Sequence, residues 1–307
     1  MQVKRALLIA GGGTLGTYTA KELLRLGHKV DVICLEDKIS DNKNLTYIKA
    51  KADDEYLKNF LANKHYDGIV NFIHYNEPED YEPIHAILTE HTDHLIFLSS
   101  YRVYSNANVV TENTPFLLDV VKDDEKFIQT EKYAISKARC EKFLRNNNYK
   151  KNFTIVRPVI SFSSLRFDLI MTSGREILDA AKNNKPIILP SEAKRFIAGL
   201  DWAGNTGKII ANLMFKKECI GEAYTITSAQ NVTWEEVADY YTQLTGCKFE
   251  WKEKIYPHED YRWTYDRAYN RKIDNNKVLK ATGLVKGDFT PIKEGIKIEL
   301  KKVGFIK

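Results

Sequence analysis

Short apolar runs alternate with amphipathic segments through the first 160 residues of this 307-residue chain. The apolar runs have the length and composition of buried strands, and the segments between them have the periodicity of helices. We predict strands at 6–10, 30–35, 46–50, 68–73, 95–99 and 153–157, and helices at 15–26, 55–62, 82–91 and 128–147. Regular alternation of this kind is typical of a doubly wound parallel sheet, so the predicted fold class is α/β of the Rossmann type.

The alternation becomes less regular after Pro158. A capping box at Thr233 and Glu236 starts one helix, and Thr290 followed by Pro291 starts the last one. Further helices are predicted at 173–183 and 202–215, and strands at 187–189 and 223–227. We therefore expect a Rossmann domain at 1–160, to which 196–228 returns, and a smaller C-terminal lobe made of 161–195 and 229–307.

The composition argues against several classes of protein. No apolar run reaches the length of a membrane-spanning helix, and the net charge of +5 comes without a long run of basic residues. The four cysteines are scattered without metal-binding spacing, which favours reduced thiols and a cytoplasmic setting. His91 and His94 are spaced like metal ligands, but no partner ligand accompanies them, so we predict no metal site.

A glycine-rich turn lies between the first predicted strand and the first predicted helix. Gly11, Gly13 and Gly16 satisfy the GxGxxG fingerprint, in which bare backbone lets a dinucleotide pyrophosphate approach the helix N-terminus. Glu36 follows the second strand at the distance where a carboxylate bonds the adenosine ribose and repels a 2′-phosphate. Lys38 would be able to neutralise such a phosphate. The sequence thus favours NAD and leaves NADP open.

A tyrosine followed four residues later by a lysine occurs twice, about as often as chance predicts in a chain with 17 tyrosines. Tyr47 lies in a predicted strand, where Lys51 would not share its face in the required way. Tyr133 lies in a predicted helix, so Lys137 would lie on the same face one turn away. There the ammonium would favour the charged phenolate, so Tyr133 and Lys137 are the predicted proton-transfer pair.

These segments, in this order, resemble an extended short-chain dehydrogenase/reductase of the NAD-dependent epimerase/dehydratase family. The resemblance extends nearly end to end, and its segments are 11–16, 96–104, 133–137, 154–158, 196–201, 221–227 and 274–277. Residues 66–75 resemble a branch that includes epimerase-like proteins and chloroplast stem-loop RNA-binding proteins. The resemblance implies an NAD(P)-binding Rossmann domain with a C-terminal substrate-binding lobe, and it is compatible with a homodimer.

The resemblance also implies roles for particular residues. Tyr133 is the implied acid/base, Lys137 the residue that bonds the nicotinamide ribose, and Ser100 the residue that orients the substrate oxygen. The candidate cofactor-binding residues are Gly11, Gly13, Thr14, Leu15, Gly16, Glu36, Asp53, His74, Ser99, Tyr133, Lys137 and Pro158. The candidate substrate-binding residues are Ser100, Tyr101, Arg195 and Arg267, and Arg262 and Arg271 are further candidates for holding a substrate diphosphate.

Three local features qualify these assignments. Asp53 can also be interpreted as the cap of the following helix. His74 can also be interpreted as an ordinary histidine at the edge of the site. Ala10 takes the place of the first glycine of the family's pattern, for which Gly11 is an alternative.

Two residues beside Ser100 restrict the reaction. Sugar dehydratases of the family need a carboxylic acid pair there, which Tyr101 and Arg102 cannot supply. The remaining interpretations are an NAD(P)-dependent nucleotide-sugar epimerase, which transiently oxidises a sugar carbinol, and an NAD(P)H-dependent reductase or dehydrogenase of a carbonyl substrate. A third is a non-catalytic RNA-binding relative, but no basic stripe with interleaved aromatic residues supports it. We predict the epimerase.

Overall fold

The computed structural model describes residues 2–254, 256–257 and 260–307, and its first half alternates strands with helices. The elements are β1 (Arg5–Ile9), α1 (Thr14–Arg25), β2 (Lys29–Cys34), β3 (Leu45–Lys49), α2 (Asp54–Leu61), β4 (Gly68–Asn71), α3 (Pro78–Glu90), β5 (Leu95–Leu98), α4 (Leu117–Val120), α5 (Glu125–Thr130), α6 (Lys132–Asn146) and β6 (Phe153–Pro158). All six predicted strands are confirmed within two residues at each end. Helix α3 begins four residues earlier than predicted, because Pro78 occupies its first turn behind a capping box of Glu77 and Asp80.

The second half contains shorter elements. They are β7 (Ile160–Phe162), β8 (Asp168–Leu169), β9 (Thr172–Ser173), α7 (Gly174–Lys182), β10 (Ile187–Pro190), β11 (Leu200–Trp202), α8 (Ala203–Leu213), β12 (Ala223–Ile226), α9 (Trp234–Thr245), β13 (Phe249–Lys252), α10 (Asn276–Thr282) and α11 (Ile292–Lys302). None of the helices in the described part of the chain is long and apolar enough to cross a membrane.

Seven parallel strands form the central sheet, in the order β12-β6-β5-β4-β1-β2-β3. The side chains of β1, β4 and β6 are almost all buried, because helices cover both faces of the sheet. After β3 the chain crosses back over β1 to form β4 on its other side. Ligands of such sheets bind beyond the carboxyl ends of the strands at this reversal. The predicted α/β Rossmann class is therefore confirmed.

The predicted returning segment 196–228 contributes to this half of the molecule. Strand β12 pairs with β6, and helix α8 packs closely on α1 at Gly207. A Cβ at Gly207 would lie 2.6 Å from the backbone carbonyl carbon of Tyr18, so only glycine permits this approach. A second hydrophobic core, with Phe162, Trp234 and Tyr241 at its centre, lies among the C-terminal elements. The division into the predicted domains stays a prediction.

The predicted helix 128–147 is two helices in the structure. Helix α5 ends at Thr130 and α6 begins at Lys132, with the non-helical residue Glu131 between them. The Glu131 carboxylate accepts a hydrogen bond of 2.9 Å from the amide of Ala134 and so caps α6. Tyr133 consequently lies in the first turn of α6.

His94 is buried in its neutral form. Its Nδ1 accepts the amide hydrogen of Phe215 at 3.1 Å, and its Nε2 lies 2.8 Å from the Thr154 hydroxyl, which itself donates to the carbonyl of Cys219. A second proton on Nδ1 would therefore face an N–H group. Burial, opposed by Glu218, lowers the pKa of His94 to about 4.

We predict that His94 makes the protein less stable at mildly acidic pH. The folded protein resists protonation of His94 while the unfolded chain accepts a proton near pH 6.5, so stability is retained above that pH and is lost as the pH falls toward 4. Between pH 7 and 5, wild type should lose about 2 kcal/mol more unfolding free energy than His94→Gln in urea titrations. His65→Gln, at an exposed histidine, is the control and should behave as wild type. Equal losses in all three proteins would contradict this account.

Candidate functional site

The glycine turn has the backbone geometry of a dinucleotide cradle. A Cβ at Gly16 would lie 2.3 Å from the carbonyl oxygen of Gly11, so α1 must approach the turn without a side chain. A Cβ at Gly13 would meet nothing within 4 Å, so the space in front of Gly13 is open. Gly13 caps α1 without a side chain, which leaves the first amide groups of the helix free to bind an anion.

Two neighbouring residues complete the turn. Ala10 has a φ of 54°, in the left-handed region that favours the glycine of the family's pattern. Gly11 serves another purpose, since a Cβ there would lie 2.7 Å from the Leu8 side chain of β1. Gly11 thus allows close packing and does not replace the missing first glycine.

A groove of about 790 Å³ runs from this turn across the ends of β2 and β3. Its lining includes Gly13, Glu36 and Asp53. The Glu36 carboxylate lies against Gly12, and Lys38 Nζ donates to the Gly12 carbonyl at 2.6 Å. The Asp53 carboxylate accepts the Tyr56 amide hydrogen at 3.1 Å and therefore caps α2, as its second interpretation predicts. The groove is large enough for an adenosine, and the Glu36 carboxylate is one of its acidic lining groups.

A second cleft, of about 380 Å³, opens on the other side of the glycine turn. It is lined by eight of the predicted residues: Thr14, Leu15, Ser100, Tyr101, Tyr133, Pro158, Arg262 and Arg267. His74 lies at its edge, with its ring centroid 5.1 Å from that of Tyr133, while Ser99 and Lys137 are buried behind it. Arg195 lies on an exposed turn and lines neither this cleft nor the groove.

Tyr133 and Lys137 lie in different environments. Tyr133 is 38% exposed, whereas Lys137 is 2% exposed and donates from Nζ to the Leu98 carbonyl at 2.7 Å. Burial lowers the pKa of Lys137 to about 8, against the opposing influence of Cys140 and Glu141. A buried ammonium beneath an accessible phenol is an arrangement suited to proton transfer at the phenol.

Ser100 begins the 3₁₀ turn Tyr101–Val103, which follows β5. Its hydroxyl oxygen accepts the Arg102 amide hydrogen at 3.2 Å, and its side chain faces the cleft. The Tyr101 hydroxyl is used inside the protein, since it donates to Asp266 at 2.6 Å. Of these two neighbouring side chains, Ser100 is therefore the one with a hydroxyl available to a ligand.

A buried ion pair fixes α6 against the sheet behind the cleft. Both oxygens of Glu141 accept hydrogen bonds from Arg157 of β6, at 2.9 and 2.5 Å, and one also accepts from the Ser99 hydroxyl at 2.5 Å. Arg157 also donates to the Tyr104 hydroxyl at 2.7 Å. The pair thereby connects the helix of Tyr133 to the strand ends that precede Ser100 and Pro158.

Two arginines of the cleft were not among the predicted site residues: Arg102 and Arg166. Arg262, which was predicted as a diphosphate contact, also lines the cleft; it is exposed and has no ion pair with any residue that the structure describes. Arg271, another predicted diphosphate contact, is 2% exposed and does not line the cleft. Arg102 stands two residues after Ser100 in the 96–104 segment, which could have marked it as a site residue. Arg166 pairs with Asp168 at 3.1 Å and lies in a turn after β7, where no local motif marks it.

Asp266 balances part of this positive charge from beneath the cleft. It is 1% exposed and lies 2.5 Å from Arg267, 3.5 Å from Arg271 and 3.7 Å from Arg102. Burial alone would raise the pKa of Asp266, but the three guanidinium groups outweigh it and lower that pKa. Asp266 therefore remains ionised and paired with the arginines beside it.

The comparisons with known proteins give one family and many structures of the same fold. The model of the NAD dependent epimerase/dehydratase family matches residues 7–195. WbmG of Bordetella bronchiseptica, solved in complex with NAD and UDP, is 15% identical with a TM-score of 0.70, and the alignment covers 99% of this chain and 97% of that one. MoeE5, solved in complex with UDP-glucuronic acid and NAD, is 14% identical with a TM-score of 0.69 over 98% of this chain and 99% of that one.

A third structure is the epimerase Mth375 of Methanothermobacter thermautotrophicus. It is 14% identical with a TM-score of 0.70, and the alignment covers 99% of this chain and 95% of that one. None of the curated proteins matches the chain. At these identities the three structures support the fold, and the family match identifies the kind of cofactor.

The glycine turn provides a matched pair of variants. Gly13→Ala should leave the unfolding free energy nearly unchanged but weaken NAD binding by about tenfold or more, since its methyl group would occupy the open space before the helix N-terminus. Gly16→Ala should lower the unfolding free energy by about 2 kcal/mol or more, because its methyl group would meet the backbone of Gly11. Calorimetric NAD titration and urea unfolding measure the two effects. Unimpaired NAD binding by Gly13→Ala would contradict the assignment of the turn.

Proposed function

This chain belongs to the NAD-dependent epimerase/dehydratase family, and on that premise we propose that it is a nucleotide-sugar epimerase that uses NAD. The observation that carries the proposal is the cleft in which Thr14 of the glycine turn, Ser100 and Tyr133 meet. A dinucleotide extending from the groove past Gly13 would bring its nicotinamide end to the side of this cleft where Tyr133 and Ser100 lie. A sugar carbinol in the cleft would then have a base and a hydroxyl donor beside it.

The proposed roles follow from the contacts of each side chain. Gly13, Thr14 and Glu36 would hold the cofactor. A bound cofactor would supply the hydride acceptor for oxidation of the sugar and the hydride donor for its re-reduction. The Tyr133 phenolate takes the proton of the sugar hydroxyl and later gives it back. Ser100 donates a hydrogen bond to the reacting oxygen and holds it beside Tyr133. The Lys137 ammonium, kept in place by the Leu98 carbonyl, would bond the nicotinamide ribose, as the family resemblance implies.

The arginines support an anionic substrate. Arg166 and Arg262 are exposed at the cleft, and their forked donors match the oxygens of a diphosphate. Arg267 also lines the cleft, but its donors already bond Asp266, the Tyr101 hydroxyl and the Ile170 carbonyl. Arg166 and Arg262 are therefore better placed than Arg267 or Arg195 to bind the diphosphate of a nucleotide sugar.

The residues beside Ser100 support epimerisation over dehydration. Tyr101 is buried with its hydroxyl bonded to Asp266, and Arg102 is cationic and paired with Glu131 at 2.6 Å. Neither can supply the acid and the base that would remove water from a keto-sugar. Oxidation and re-reduction by Tyr133, Ser100 and the bound cofactor need no further acid.

Tyr133→Phe tests the proposed acid/base directly. The variant should lose activity by about 10³-fold or more on the UDP-sugar that wild type epimerises, because phenylalanine has no hydroxyl to take the proton of the sugar. Tyr47→Phe, at the other tyrosine of this spacing, is the matched control and should keep wild-type activity. UDP-glucose and UDP-glucuronic acid, with product analysis by NMR, are the first substrates to use.

The same assay separates the alternative reactions. Epimer formation without net change of the cofactor supports the proposal, whereas stoichiometric consumption of NADH would support a reductase. Equal activity of Tyr133→Phe and Tyr47→Phe would contradict the assignment of Tyr133. Salt-sensitive RNA binding that survives Tyr133→Phe, in a protein that does not bind NAD, would support the RNA-binding interpretation.

Arg262→Gln tests the proposed diphosphate contact. It should raise KM for the UDP-sugar by about tenfold with little change in kcat, since the diphosphate is bound equally in the ground and transition states. Arg195→Gln should leave both constants unchanged, because Arg195 lines neither the cleft nor the groove. A rise in KM for Arg195→Gln alone would reverse this assignment and favour Arg195 as the diphosphate contact.

A further inference from the structure

Arg102 connects the turn of Ser100 to the helix of Tyr133. Its amide donates to the Ser100 hydroxyl oxygen at 3.2 Å, and its guanidinium donates to a carboxylate oxygen of Glu131 at 2.6 Å. The other oxygen of Glu131 accepts the Ala134 amide hydrogen at 2.9 Å and caps α6. One carboxylate thus bonds the Ser100 turn on one side and the first turn of the Tyr133 helix on the other.

The charge of Arg102 is directed at Tyr133 as well. The guanidinium carbon lies 5.5 Å from the centroid of the Tyr133 ring, and the Arg102 side chain is only 16% exposed. Water therefore screens this interaction less than it would on an open surface. Burial alone would lower the pKa of Arg102, but Asp266 and Glu131 outweigh it and raise that pKa, so the charge persists at every pH of interest.

Because the Arg102–Glu131 pair is largely buried, breaking it should cost more free energy than breaking a surface ion pair. The Glu131 side chain is 8% exposed, whereas both members of the exposed pair Arg139–Glu77 on the outer face of α6 are more than 40% exposed. Exposed pairs contribute little, while removing one partner of a buried pair leaves an uncompensated charge. Loss of Arg102 would therefore disturb the start of α6, and loss of Arg139 would not.

We propose that Arg102 is a positioning residue of the active site: its bond to Glu131 fixes the spacing between Ser100 and Tyr133, and its guanidinium lies over the Tyr133 ring. This proposal rests on the proposed function for its kinetic consequences.

The kinetic test compares Arg102→Met, Arg102→Lys and the control Arg139→Met on the UDP-sugar that wild type epimerises. Arg102→Met should lower kcat by about 30-fold with KM changed less than about threefold. Arg102→Lys should restore only part of kcat, since lysine keeps the charge without the forked geometry. Arg139→Met should behave as wild type.

Two kinetic outcomes would overturn the proposal. A higher KM with unchanged kcat would make Arg102 a substrate contact. A kcat for Arg102→Met within about threefold of wild type would reduce Arg102 to a structural ion pair. Glu131→Gln, which keeps the cap but removes the charge, should add little to the kinetic effect of Arg102→Met, because the two residues act as one unit.

Hydrogen exchange of the substrate-free protein tests the geometry without any activity. If Arg102 stabilises the Glu131 cap, the Ala134 amide hydrogen should exchange about tenfold faster in Arg102→Met than in wild type. In Arg139→Met it should exchange at the wild-type rate. When wild type turns over no UDP-sugar, the proposed function has failed, and this exchange alone decides the proposal about Arg102. Unchanged exchange of Ala134 would then overturn it.

Discussion

The buried ion pair between Arg157 and Glu141 is the constraint on which the site depends. Both side chains are at most 2% exposed, so each charge relies on the other and on the Ser99 and Tyr104 hydroxyls for compensation. Glu141 lies one turn after Lys137 on α6, and Arg157 immediately precedes Pro158 on β6. Removing either partner would leave a buried charge that costs about 3–5 kcal/mol. The pair therefore determines where α6 presents Tyr133.

The rest of the site is built around the position of α6. Lys137 is held by the Leu98 carbonyl at the end of β5. Ser100 lies two residues after Leu98, in a turn that Arg102 connects to the cap of α6 through Glu131. On the opposite side of the cleft, Thr14 opens α1 directly after the glycine turn, and its hydroxyl bonds that of Ser163 at 2.8 Å. Groups from the ends of three strands thus converge, as expected at the reversal of a doubly wound sheet.

Local patterns in the sequence predicted the elements and the glycine turn well. The strand runs, the GxGxxG spacing and the capping box at Thr233 each depend on residues that are close together in the sequence. The structure reproduces all three. The single predicted helix at 128–147 was wrong, because composition does not reveal that Glu131 leaves the helical conformation to cap α6. That break matters for the site, since it places Tyr133 in a first turn.

The substrate side was less predictable, because it is assembled from segments that are distant in sequence. Arg166 and Arg262 meet Ser100 only through the packing of the second lobe, whereas Arg195, which has the same chemistry, lies elsewhere. Asp53 had two interpretations, and its hydrogen bond to Tyr56 shows that it caps α2. The roles of the candidate site residues remain predictions that rest on this geometry.

The central claim is that the Tyr133 cleft oxidises and re-reduces one carbinol of a nucleotide sugar. Stopped-flow absorbance of the NAD-loaded protein mixed with UDP-glucose or UDP-glucuronic acid tests this claim most directly. The account predicts that the band of reduced nicotinamide rises and then decays as the epimer accumulates. A nucleotide sugar that binds while neither reduced nicotinamide nor epimer forms, across the UDP-sugars tested, would contradict it.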